Sequence, residues 1–178
     1  MPALKKVELP VATTLKAACF YKCSSLTDII APNVTTIEAE AIRDCYSLST
    51  VSFPKATNIS TLVFYNDPLL TSVSLPAATA IGARTFECCY ALSTFTMPVG
   101  VSIIQPSTFL SCSSLMSLYL PRTSTIVTLS NVNALASTPM SMSTLTGSFG
   151  KIYVPSALYA SYIAATNWKN YSARFVSM

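Results

Sequence analysis

The chain contains no histidine, which removes the commonest general base and the commonest metal ligand together. Charge is sparse as well. Asp, Glu, Lys and Arg make up 10% of the 178 residues, against about 25% in an ordinary soluble domain. Four glycines leave little from which to build a phosphate-cradling loop, and neither Gly-x-Gly-x-x-Gly nor Gly-x-Ser-x-Gly occurs. No acid follows Glu87: the first 87 residues balance seven acids against seven Lys/Arg, and the rest carry only Arg122, Lys151, Lys169 and Arg174. Four scattered cations are too few for a nucleic-acid stripe, so no nucleic-acid partner is expected. No window approaches 18 consecutive apolar residues, which argues against membrane insertion despite a mean hydropathy of +0.50. The start, Met1-Pro2-Ala3-Leu4-Lys5-Lys6-Val7-Glu8, lacks the apolar core of a signal peptide. By that reading the chain is either not secreted or part of a longer protein.

Hydroxyls take the place of charge: 25 Ser and 21 Thr fill 46 of 178 positions. The chain also repeats. Prolines at 10, 32, 54, 76, 98 and 121 are spaced by 22, 22, 22, 22 and 23 residues, and leucines at 4, 26, 48, 70, 92 and 115 keep the same spacing. The shared tail is Leu-x-x-apolar-x-apolar-Pro, from Leu4–Pro10 to Leu115–Pro121, with only Ala31 small at an apolar place. Within it, Val7/Leu9, Ile29/Ala31, Val51/Phe53, Val73/Leu75, Phe95/Met97 and Leu118/Leu120 alternate with Glu8, Ile30, Ser52, Ser74, Thr96 and Tyr119. Period two over a few residues predicts short half-buried strands. Copies running in one direction predict parallel stacking at about 4.8 Å per coil. Proline then falls at the strand end, where a lost ladder donor is tolerated.

The other half of each repeat has columns of its own: Leu15, Ile37, Ile59, Ile81 and Ile104; then Phe20, Ile42, Phe64, Phe86 and Phe109; then Cys23, Cys45, Asp67, Cys89 and Cys112. These rungs are expected to close a ring around a narrow core. No coil can bury its face alone, so stability arises between neighbours.

The segment Ile81-Gly82-Ala83-Arg84-Thr85-Phe86-Glu87-Cys88-Cys89-Tyr90-Ala91-Leu92-Ser93-Thr94-Phe95-Thr96-Met97-Pro98 resembles the BspA-type leucine-rich repeat, also named for Treponema, and the likeness holds in phase from residue 4 to 121. Two departures are the family glycine, retained only at Gly82, and Asp67 in the cysteine column. The resemblance implies a leucine-rich-repeat solenoid: a right-handed stack of about six 22–23-residue coils, with a parallel sheet of short strands and a C-terminal helical cap. The stretches Val127–Leu135, Lys151–Pro155 and Ala164–Trp168 resemble the closing segment of many such arrays from gut bacteria. What the family implies about function is a bacterial cell-surface protein, extracellular or surface-attached, that binds host matrix, neighbouring cells or glycans.

Three regions follow: repeats over 1–121, a degenerate last repeat over 122–155, and a cap helix and tail over 156–178. After Pro121 the next strand-like unit, Ile152-Tyr153-Val154-Pro155, arrives 34 residues after Pro121. About twelve residues are thus looped out, around Ser137–Phe149. Ser156 is the expected N-cap of a helix reaching about Asn167, with Leu158, Tyr162, Ile163 and Trp168 on its apolar face and Trp168 as the plug of the last coil. At the other end, Leu4–Leu9 reads as a full strand with an open edge. That edge predicts either preceding repeats or an N-terminal domain, or else a dimer paired through it.

Six cysteines without histidine fit no metal spacing. Four share one column and read as reduced, buried thiols. Cys19 reads as core, in a column with Ala41, Val63, Thr85 and Thr108, and Cys88 as the most exposed thiol. A catalytic cysteine would need a base partner, and no histidine supplies one. The carboxylates Glu8, Asp28, Glu38 and Glu40 read as solvated charge rather than a flanking pair around a pocket. No catalytic, metal or cofactor site is expected, and the chain reads as a non-enzyme.

Two surfaces remain as candidates. The outward strand face carries Ser52, Ser74, Thr96, Tyr119 and Tyr153, beside Thr50, Ser72, Thr94 and Ser117. A hydroxyl field with aromatics suits a protein or glycan ligand, and Ser and Thr equally suit any exposed strand. The second is a loop edge where Tyr21 and Tyr65 share one column and Tyr46 and Tyr90 another. A structural spacer, or a phage or virion display component with no ligand of its own, is the alternative from another class. Asn33, Asn58 and Asn170 begin Asn-x-Ser/Thr triplets, which matter only in a glycosylating host.

Overall fold

The computed structural model describes residues 4–130, 132–135 and 150–178. Six successive coils each place one three-residue strand and one two-residue strand. The pairs are β1 (Lys6–Glu8) and β2 (Thr14–Leu15), β3 (Asp28–Ile30) and β4 (Thr36–Ile37), β5 (Thr50–Ser52) and β6 (Asn58–Ile59). They continue as β7 (Ser72–Ser74) and β8 (Ala80–Ile81), β9 (Thr94–Thr96) and β10 (Ile103–Ile104), β11 (Ser117–Tyr119) and β12 (Thr128–Leu129). The chain then forms β13 (Lys151–Val154), the short helix α1 (Tyr159–Ala164) and β14 (Phe175–Ser177).

Every pairing is parallel and joins equivalent residues of successive coils. Val7 stands opposite Ile29, and Val51 opposite Val73. The longer strands form the ladders β1-β3, β5-β7 and β9-β11-β13-β14, and the shorter ones form β2-β4-β6-β8 and β10-β12. No bridge crosses from β3 to β5 or from β7 to β9. Between the fourth and fifth coils the short-strand ladder stops as well, at β8.

A third ladder runs along the arc after each short strand. Ala18, Phe20 and Lys22 donate their amides to the carbonyls of Ala39, Ala41 and Arg43 at 3.1, 2.8 and 2.9 Å. The next coils repeat this spacing, through Glu40→Thr61 and Ile42→Val63 to Arg84→Pro106 and Phe86→Thr108. Each arc begins and ends on a left-handed residue. Ala18, Glu40, Leu62, Arg84 and Ser107 form one such column, and Lys22, Asp44, Asn66, Cys88 and Ser111 the other. None is glycine.

The core fills this frame as the alternation requires. Leu26, Leu48, Leu70 and Leu92 are fully buried in one row, and Ile37, Ile59, Ile81 and Ile104 in another. Phe64, Phe86 and Phe109 stack along the axis, with ring centroids 5.5 Å apart at both steps. Phe53 and Phe95 lean against this stack from the sheet side, 6.4 Å from Phe64 and 4.9 Å from Phe86. Burying each such ring contributes about 1.5–3 kcal/mol.

Three expectations need correction, and each failure has a physical cause. Cys19, not the half-buried Cys88, is the exposed thiol, whereas Ala41, Val63, Thr85 and Thr108 of its column are buried. It lies in the first coil, which has a covering neighbour on one side only among the described residues. Ser156 does not cap a helix: it opens a 3₁₀ turn, Ser156–Leu158, with no side-chain cap bond. Its hydroxyl donates instead to the Met178 carbonyl. The helix is also shorter than expected, because Ala165 turns extended and Asn167 adopts a positive φ of 67°. A second 3₁₀ segment, Trp168–Arg174, then carries the chain into β14. The expected loop around Ser137–Phe149 lies outside the described residues.

The closing of the last coil runs through Trp168, which is fully buried. Its indole Nε1 donates to the Val127 carbonyl at 2.6 Å, while the Tyr162 hydroxyl accepts the Val127 amide at 2.8 Å. Trp168, Tyr162 and Phe175 pack edge to face or tilted at 5.7 to 5.9 Å. Both polar tips therefore satisfy backbone groups that a further coil would otherwise take.

Candidate functional site

Strand alternation sends Ser52, Ser74, Thr96, Tyr119 and Tyr153 to the outer face. Register aligns them where ladders exist: Ser52 pairs with Ser74, Thr96 with Tyr119, and Tyr119 with Tyr153. Ser52, Ser74 and Thr96 are exposed, and the two tyrosines are half-buried. The Tyr119 and Tyr153 rings stack 4.4 Å apart with an interplanar angle of 11°. β11 and β13 pair in the register of the repeats, so β13 supplies a tyrosine where the next coil's outward residue belongs. The result is a rigid aromatic step at the end of a hydroxyl column.

Beside that column lies a cleft of about 400 Å³, lined by Val73, Ser74, Leu75 and Pro76, by Thr96, Met97, Pro98 and Val99, and by Pro121. It opens along the seam where no bridge joins β7 to β9. Its walls are apolar strand-end prolines and aliphatic groups, with two hydroxyls, Ser74 and Thr96, at hand. Sequence reasoning named both hydroxyls and missed the cleft, which depends on a ladder interruption that the even spacing of the repeats does not reveal. A second recess of about 360 Å³ runs along β6 and β8. Gly82 lines it, and a Cβ there would stand 2.6 Å from the Ser60 carbonyl carbon.

The loop-edge tyrosines are bound into a structural ladder. The Arg43 guanidinium sits between the Tyr21 and Tyr65 rings, at 5.4 and 4.7 Å from their centroids, and Arg84 covers Tyr65 at 5.3 Å. Arg43 also pairs with Glu40 at 3.0 Å and Asp44 at 3.3 Å, and Arg84 with Glu87 at 2.7 Å. Each cation is thereby matched by an acid of its own coil. Tyr46 and Tyr90 stay exposed.

Glu38 and Glu8 are likewise engaged. Glu38 accepts the Lys16 ammonium at 2.8 Å and the Ala17 amide at 2.9 Å, which together hold its carboxyl below the ordinary range. Glu8 pairs with Lys6 at 2.7 Å. Among the described residues no cluster of Cys, Asp and Glu could hold a metal ion, and no helix is long and apolar enough to cross a membrane. All six cysteines are free thiols. In the buried column three thiols donate to a carbonyl of the Phe column one arc back: Cys45 to Phe20 at 3.2 Å, Cys89 to Phe64 at 3.0 Å and Cys112 to Phe86 at 3.0 Å. Burial pushes these three thiols up, away from the reactive thiolate.

Parallel coils, one strand-bearing apolar tail per repeat and an aromatic closing plug define a leucine-rich-repeat solenoid. The BspA type leucine rich repeat region matches in six copies, over residues 13–138 and 56–160, and the chain belongs to that family. No curated protein matches the chain. Its fold is similar to that of the leucine-rich repeat protein of T. pallidum, at 22% identity and a TM-score of 0.63, covering 71% of this chain and 69% of that one. It is also similar to a leucine-rich repeat protein from Bacteroides ovatus, at 23% identity and a TM-score of 0.74. That alignment covers 99% of this chain and 43% of the other.

Proposed function

We propose that the chain is a non-enzymatic binding module of a bacterial cell-surface protein, taking a protein or glycan ligand on the outer face of its longer strands. The observation that carries this reading is the stacked Tyr119–Tyr153 pair, set at the end of an exposed hydroxyl column and beside the Ser74/Thr96 cleft. Paired tyrosines offer rigid apolar area with polar tips, the combination enriched at interface centres. The hydroxyls add hydrogen bonds at little desolvation cost. Support for the absence of catalysis comes from the side chains themselves: the column thiols are buried as thiols, the loop-edge cations are matched, and no histidine exists to activate a nucleophile. Surface localisation and adhesion rest on the family membership.

The test is a glycan and matrix-protein binding screen with the folded chain, followed by single substitutions against any ligand found. Tyr119→Ala is expected to weaken binding by about 1–2 kcal/mol with the fold retained. If Tyr46→Ala or Tyr90→Ala damages binding and Tyr119→Ala is silent, the loop edge is the site. If all three bind as the parent does, neither surface is the site, and if the screen finds no ligand the spacer reading takes its place.

A further inference from the structure

One rung of the buried cysteine column is a carboxyl. Asp67 is fully buried and follows Cys23 and Cys45 at the shared 22-residue step. Its Oδ1 accepts the Cys45 amide at 2.7 Å. Its Oδ2 is buried and has no hydrogen-bond partner. In the neighbouring rungs the side chain reaches a carbonyl 25 or 26 residues earlier, Phe20 for Cys45, Phe64 for Cys89 and Phe86 for Cys112. The equivalent carbonyl for Asp67 belongs to Ile42, which is fully buried and lacks the thiol donor its counterparts receive. The amide of Cys45 is not available to Ile42 either, since it turns to Asp67, whereas Cys23, Cys89 and Cys112 donate theirs to Phe20, Phe86 and Phe109.

We infer that Asp67 is a neutral carboxylic acid in the folded protein at neutral pH, its Oδ2–H replacing the cysteine thiol as donor to the Ile42 carbonyl. One proton satisfies both orphans: a lone buried oxygen becomes a donor, and a lone buried carbonyl gains one. The groups facing Asp67 favour that form. Asp44 and Cys45 approach from the coil before and Cys89 from the coil after. Asp44 is itself held by the Asn66 amide at 2.7 Å and by Arg43 at 3.3 Å. No cation of its own stands against Asp67 among the described residues. Burial, followed by the Asp44 charge, raises its carboxyl well above the ordinary range, with the Cys45 amide opposing.

The consequence is a pH-sensitive contact in the middle of the array. A carboxyl raised in the folded state stabilises fully below its unfolded pKa of about 3.9 and loses that contribution as pH rises through its folded value. Ionisation would strip Ile42 of its donor and leave a charge between the second and third coils.

Thermal unfolding of the whole chain and of Asp67→Asn, between about pH 4 and pH 7, tests this below the range in which thiols ionise in the unfolded state. The amide of Asp67→Asn keeps both bonds and cannot ionise. The melting temperature of the parent is expected to fall relative to Asp67→Asn as pH rises. A constant or rising difference overturns the inference. Carbon-13 NMR of the parent, with the Asp67 carboxyl assigned by its loss in Asp67→Asn or Asp67→Cys, gives a second reading that does not depend on variant stability. A protonated shift at pH 7 is expected, and a carboxylate shift there overturns the proposal.

Discussion

The thiols of this small chain play different parts according to what covers them. Cys45, Cys89 and Cys112 donate to backbone carbonyls one coil away, so the cysteine column is a hydrogen-bond column as much as an apolar one. A serine would make the same bond but bring a larger desolvation cost, and an alanine would remove the bond, leaving the Phe20 and Phe86 carbonyls with only the Cys23 and Cys89 amides. Cys19 lies exposed on the first coil. Titration of the folded protein with a thiol reagent should therefore label Cys19 first, and Cys89 and Cys112 only on the timescale of unfolding. The unfolded, unreduced chain should show six reactive thiols. Rapid native labelling of Cys112 would contradict the burial described for it. The column was legible in the sequence from spacing alone. The bond was not, because it joins a side chain to a backbone atom whose residue type carries no signal.

At the scale of the element, the strands were readable and the arcs were not. Leu-x-x-apolar-x-apolar-Pro fixes an inward face at period two, and all six copies form strands. The arcs depend on left-handed residues as unlike as Ala18, Glu40, Leu62 and Arg84, so no composition marks them. What selects the conformation is the next coil. Each of these residues turns its own amide along the axis to a carbonyl at about 3.1 Å, and that bond offsets a backbone cost of roughly 1–2 kcal/mol. Two substitutions separate the roles of glycine. Ala18→Gly removes only a Cβ from an exposed left-handed residue and should raise stability by about 0.5–1 kcal/mol. Gly82→Ala drives a Cβ to 2.6 Å from the Ser60 backbone and should cost about 1–3 kcal/mol. Denaturant unfolding of both variants checks the opposite signs. β14 also escaped the sequence reading, since Phe175-Val176-Ser177 follows no repeat and is aligned by Val154 and Met178 bonding across the edge.

For the whole molecule, stability belongs to contacts between coils, and the last coil has its contacts supplied by the closing segment. Trp168→Ala would empty the plug and release the Val127 carbonyl together. Loss of about 3–5 kcal/mol is expected in urea unfolding, with the first coils retaining strand content if the array unfolds from that end. Loss of all structure in one step would instead show that the coils fold as a single unit. The outer-face column followed from strand alternation, and Tyr153 joined it once the residues after Pro121 were treated as an insertion. The cleft beside it did not follow, because neither spacing nor residue type reports which neighbouring strands exchange hydrogen bonds.

Between the fourth and fifth coils both strand ladders are interrupted, while the arc bonds from Arg84 to Pro106 and from Phe86 to Thr108 continue. Mechanically this is a pivot with its pin on the arc side. A load that bends the array would meet least resistance there, and the two rigid blocks would swing apart on the strand side. The cleft lined by Ser74 and Thr96 lies at the opening side of that pivot. A guest wedged between the blocks would set the curvature of the array, so that occupancy at one point would be transmitted as a change of angle along its whole length.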